Sequence, residues 1–156
     1  MTANVSTGAL AQLFDGVGFK ALFDYGCIEI RSGAQPATAD APATGTLLAR
    51  ITKDGGAWNA GNHAYGLKFQ RAQRYMMSDS NDLWRMTGMA NGTAGWFRLV
   101  GNIYDDGAAS SDFPRIDGTV GLVGGAGDIQ MYMHDTNVTA STNTPFMGWA
   151  FTIPPL

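Results

Sequence analysis

From Cys27 onward apolar residues fall at every second position, in short runs separated by clusters of Gly, Asp, Asn and Ser. Ile28 and Ile30 point one way while Cys27, Glu29 and Arg31 point the other; Leu47, Ala49 and Ile51 alternate with Thr46, Leu48, Arg50 and Thr52. A period of two marks a strand with one buried face. Further strand candidates are Tyr65, Leu67 and Phe69; Leu83 to Thr87; Trp96 to Val100; Ile129, Met131 and Met133; and Met147, Trp149, Phe151 and Ile153, which Pro154 and Pro155 terminate. Between them stand KDGGAWNAGN, SDSND, MANGTAG, YDDGAASSD and GGAGD, turn clusters at the spacing of sandwiches and barrels. No long helical pattern lies between strands to carry a parallel crossover. The pattern therefore predicts an all-β fold, an antiparallel β-sandwich of jelly-roll-like topology.

The first 26 residues differ. Leu10, Leu13, Phe14 and Val17 recur at helical spacing after the capping candidates Ser6 and Thr7, and Phe19, Leu22 and Phe23 repeat the pattern out of phase beyond Gly16 and Gly18. Two short helical turns fit better than one helix. A piece this short is marginal alone and must lay its apolar face on its own domain or on a neighbouring subunit. The chain thus divides into an N-terminal arm, 1–26, and a β domain, 27–156.

Ser32 to Gly45 joins two of the strands through a run of Ala, Pro, Thr and Ser with no periodicity. It predicts a long exposed loop, stiffened by Pro36 and Pro42, of the kind that is disordered or binds something.

At 156 residues, with 45% apolar and 15% charged residues, one domain with a substantial core is affordable. Thirteen acids, of which only Glu29 is glutamate, outweigh ten bases for a formal charge of −3. That balance gives no footprint for nucleic acid and does not resemble a polybasic membrane anchor. Cys27 stands alone, so neither an internal disulfide nor a multi-cysteine zinc site is possible. The start, MTANVSTGALAQLF, does not read as a signal peptide, and no stretch approaches the ~20 apolar residues of a membrane span. The expectation is a soluble chain made in a cytoplasm.

Catalytic patterns are weak. His134 precedes Asp135, which could orient its imidazole, but no serine sits in a nucleophile elbow and His63 has no partner in sequence. Glu29 reads as the partner of a cross-strand arginine. Asp105, Asp106, Asp112 and Asp117 cluster without EF-hand spacing, and the glycines of GLVGGAGD read as a hairpin turn rather than a phosphate cradle. Of the tryptophans, Trp149 reads as core, whereas Trp58 and Trp96, beside turns, are the candidates for an exposed ring on which a sugar could stack. No catalytic residue, cofactor or metal is expected.

IEIRSGAQPATADAPATGTLLARIT, NGTAGWFRLVGN, PRIDGTVG and the closing FMGWAFTIPP, in that order, resemble a family of small structural proteins of tailed bacteriophages. The likeness runs from Cys27 to the end and supplies no catalytic residues. It implies a virion protein, assembled in the host cytoplasm and in contact with copies of itself and with the major capsid protein. A capsid decoration or cement role follows if the arm (Leu10, Leu13, Phe14, Phe19, Leu22, Phe23) and the loop (Pro36, Pro42) cross neighbouring subunits. A tail, baseplate or fibre component is the alternative within the virion, and a carbohydrate-binding β-sandwich module the alternative outside it.

Overall fold

The computed structural model describes residues 3–72, 75–128, 130–146 and 150–152. In chain order its elements are β1 (Asn4–Val5), α1 (Thr7–Phe14), α2 (Phe19–Phe23), β2 (Cys27–Ser32), β3 (Leu47–Lys53), β4 (Phe69–Ala72), β5 (Tyr75–Ser78) and β6 (Trp84–Gly88). There follow β7 (Gly92–Val100), β8 (Arg115–Leu122), β9 (Met131–Met133), β10 (Asn137–Val138), β11 (Asn143–Pro145) and β12 (Ala150–Thr152). Among the described residues the large sheet runs β1-β8-β7-β2-β3-β6-β11, with β10 beside β7 and β9 beside β8, and a small sheet runs β12-β5-β4. The architecture is all-β and, apart from β9 beside β8, antiparallel, with two helical pieces at the N-terminus, as the sequence pattern predicts.

The two layers are unequal. On the apolar face of the large sheet, Met86, Ile51, Ile28, Leu99, Ile116 and Val5 are successive cross-strand neighbours. Phe69 of the small sheet meets Trp84 on that face edge-on at 5.3 Å, and Phe19 of α2 meets Phe69 edge-on at 6.2 Å. The helices, both sheets and β9 and β10 share one continuous core. Residues 3–26 are therefore built into the β domain rather than hung from it.

Local chemistry explains the N-terminal segment. Ser6 caps α1 by accepting from the Ala9 amide at 3.2 Å, and its hydroxyl also donates to the Phe113 carbonyl at 2.7 Å. Gly8 lies so close to the backbone of Asp112 that a Cβ would sit 2.3 Å from it. Gly16, at φ +87, ends α1 in the left-handed conformation that glycine adopts without steric penalty.

Several expectations change. The glycines of 124–128 do not make a hairpin: the chain doubles back, Gln130 N–H reaches the Thr119 carbonyl, and β9 runs parallel to β8. Gly124 and Gly127, at φ +78 and +112, permit that reversal. Tyr65 to Phe69 is no continuous strand, since Leu67 only bridges Gly26 and regular pairing starts at Phe69. The strand expected at 147–153 is observed over Ala150–Thr152, and Met147, Trp149 and Ile153 lie outside the described residues, as does Ile129.

Candidate functional site

The register of the large sheet places Arg50, Glu29, Arg98, Asp117 and Asn4 side by side across five strands, on the face opposite the apolar core. Glu29 accepts from Arg31 Nη2 at 2.9 Å and Arg50 Nη2 at 3.1 Å, so the expected cross-strand pair is present. Arg98 Nε and Nη2 each stand 2.7 Å from an oxygen of Asp117, and both residues are buried. One row away, Arg115 grips Asp105 through two bonds of 2.6 Å. Charges this deep persist only when paired and hydrogen-bonded, which these are. Burial pushes the Asp117 carboxyl up from its ordinary value, against the opposing pull of Arg98.

What covers this face is the connector itself. Arg98 Nη2 donates to the Ala41 carbonyl at 3.2 Å and Arg115 Nη1 to that of Ala39 at 3.3 Å, so the two buried guanidiniums clamp the loop to the sheet. Asp40 accepts from the Thr7 amide at 2.8 Å at the start of α1, and Asn4 Nδ2 donates to Ala37. The loop 102–113 braces it from the side, through Ala43 N–H to Gly107 and Ser110 N–H to Asp40. The exposed loop that the sequence predicts is observed in part: Gly33, Ala34, Ala37, Thr38, Pro42, Thr44 and Gly45 are exposed, but Gln35, Pro36 and Ala39 are buried. The ordering comes from arginines more than fifty positions away, which a local reading of Ala and Pro does not contain.

The anchors expected in the arm separate into two groups. Phe19, Leu22 and Phe23 lie in the chain's own core and are committed there; Leu13 is half-buried against it. Leu10 and Phe14 face outward, 44% and 89% exposed.

The titratable candidates do not converge. Asp135 accepts from the amide and side chain of Asn137, at 2.8 and 2.9 Å, rather than orienting His134. His134 and Asp135 line a cavity of about 450 Å³ whose other walls include Met86, Met133, Val138 and Phe146. His63 is exposed and stacks on Tyr25 at 3.9 Å. Asp105 and Asp117 are spent on arginines, and Asp106 bonds the Ala108 amide within its turn. Among the described residues no group of three or more His, Cys, Asp or Glu side chains could hold a metal ion. The Cys27 thiol is buried, and desolvation, aided by Glu29, pushes its pKa far up. Trp96 is fully buried beneath the loop, with Arg98 5.3 Å from its ring, so only Trp58 of the two expected exposed rings reaches a surface cavity. No protein-family model, curated protein or solved structure matches this chain.

Proposed function

We propose that this protein is a structural subunit of a tailed-phage virion, a capsid decoration protein that binds the outer shell as a symmetric oligomer and bridges major capsid subunits. The observation that carries the reading is the pair Leu10 and Phe14. They sit one helical turn apart on α1, outward, on a helix whose start is pinned by Ser6 and Asp40. Covering Phe14 is worth roughly 1.5–3 kcal/mol, and covering Leu10, already more than half buried, about half as much. That is modest for one contact and large when many copies on one shell act together. The phage-like motifs from Cys27 onward support the virion setting. The loop enters differently from the sequence expectation: Gln35, Pro36 and Ala39 are committed to its own domain, and Ala37, Thr38, Pro42 and Thr44 remain exposed for a neighbour.

The test uses particles assembled with the parent protein, with Phe14→Ser, and without the protein. Complete particles should survive heat and osmotic shock better than particles lacking it, and Phe14→Ser should fail to bind although the free protein melts as the parent does. Equal survival of all three overturns the cement role. Copy number per particle separates this reading from a tail, baseplate or fibre component, since a shell protein is present in amounts comparable to the major capsid protein.

A further inference from the structure

On the charged face of the large sheet Arg31, Arg50, Arg98 and Arg115 share three carboxylates, Glu29, Asp105 and Asp117, an excess of one cation within that cluster, while Arg85, on the same face opposite Thr52, bonds Asn143. The way the guanidiniums are filled localises the excess. Arg98 and Arg115 each place Nε and Nη2 on both oxygens of one carboxylate, and Arg31 places the same two nitrogens on Glu29 Oε2. Arg98 Nη1 and Arg50 Nε are both buried with no acceptor among the described residues, but Arg98 holds both oxygens of a carboxylate whereas Arg50 keeps only Glu29 Oε1, through Nη2. Its charge is thus the least compensated of the four.

Among the described residues Arg50 is also the only charged side chain lining a cavity of about 260 Å³ between β3 and β6. Trp58 forms one wall, its ring centroid 5.8 Å from the guanidinium carbon and its indole N–H fixed on the Tyr25 carbonyl at 2.7 Å. Met89 forms another. Thr52 and Thr87 give their hydroxyl protons to the Gly56 and Gly55 carbonyls, at 2.8 and 3.1 Å. Their oxygens therefore offer the cavity acceptor capacity only. A ligand that complements these walls carries an anionic group for Arg50, hydroxyl donors for the threonines and a C–H face for the indole. Acidic sugars combine all three.

We propose that this cavity binds a carboxylate-bearing sugar ring of the uronic-acid type. Simple carboxylates lack the ring and the hydroxyls, and neutral hexoses lack the charge, so each alone satisfies part of the wall. The proposal goes beyond the virion reading and stands or falls separately, because it concerns the isolated protein rather than the particle.

Titrating the purified full chain with glucuronic acid, glucose and acetate, followed by calorimetry and tryptophan fluorescence, tests it. Glucuronate should bind saturably and shift the emission, with glucose and acetate at least about tenfold weaker. Arg50→Gln should weaken glucuronate by about tenfold or more, and Arg50→Lys, which keeps the charge but loses the planar fork, by an intermediate factor. Trp58→Phe should reduce affinity for both sugars. Equal binding of glucose and glucuronate, acetate matching glucuronate, undiminished binding by both Arg50 variants, or no binding of glucuronate overturns the proposal. A melting curve on each variant separates lost binding from lost fold.

Discussion

On its apolar side the large sheet meets α2 and the small sheet, regular elements with side chains packed ring against ring. On its charged side it meets two stretches of chain without regular structure, 33–45 and 102–113, held by hydrogen bonds and ion pairs. Over β2, β7 and β8 both sides are buried, by different physics. The apolar side is stabilised by area removed from water and is indifferent to small changes of angle. The charged side depends on geometry, because a misplaced guanidinium under the loop has no water to replace its partner. Along these strands alternation of apolar and polar residues separates two kinds of interior, whereas at β3 and β6 it still divides interior from a solvent-open cavity.

Cys27, at the margin of the charged side, gives the most demanding test of that closure. Its alkylation at pH 8 should be slowed by more than about a thousandfold relative to the unfolded chain, as expected for a thiol reached only by opening; mass spectrometry of a time course measures it. The folded pKa lies above the ordinary 9.0. The contribution of this thiol to stability is therefore present below that value and is lost as pH rises past it. Rapid labelling at neutral pH would mean that the charged side is open.

Breaking one pair should outweigh trimming the core. Asp117→Ala strands the Arg98 charge and should lower unfolding free energy by about 3–5 kcal/mol, whereas Ile30→Val on the apolar side should lower it by about 0.5–1.5 kcal/mol. Urea unfolding of the two variants compares them directly. The double variant Arg98→Met with Asp117→Leu sharpens the point: stability equal to or above the parent would show that the pair specifies the arrangement rather than strengthening it. A smaller loss is expected for Asp40→Ala, about 1 kcal/mol, since it removes the tie between the loop and the first turn of α1; hydrogen exchange should rise across 33–45. Phe14→Ser should change stability least, within about 0.5 kcal/mol, because the ring touches little of its own chain.

The same distinction explains what could be read in the sequence. β2, β3, β6 and the second half of β7 announce themselves because their apolar residues alternate, and Ser6 with the spacing of Leu10, Leu13 and Phe14 announces α1. β8 does not, although it lies inside the sheet between β1 and β7: Asp117 and Gly118 read as turn formers, and Arg115 as a lone charge, unless the partners Arg98, Phe97 and Asp105 are already in place. β10 and β11 are hidden in a run of Thr, Asn and Ser that supplies backbone pairing but little pattern. The connector's length was legible and its fixation was not, since what fixes it lies on β7 and β8. Trp58 stood out as a ring beside a turn. Arg50 did not, because its half-used guanidinium follows from Arg31 claiming the other oxygen of Glu29, a fact of three-dimensional register.

Ser6 bonds Phe113 across 107 positions, and β1 forms only against β8. Closing contacts across so long a stretch costs loop entropy, so the docking of residues 4–6 on β8 falls late in folding, after the local hairpin of β2 with β3 has formed.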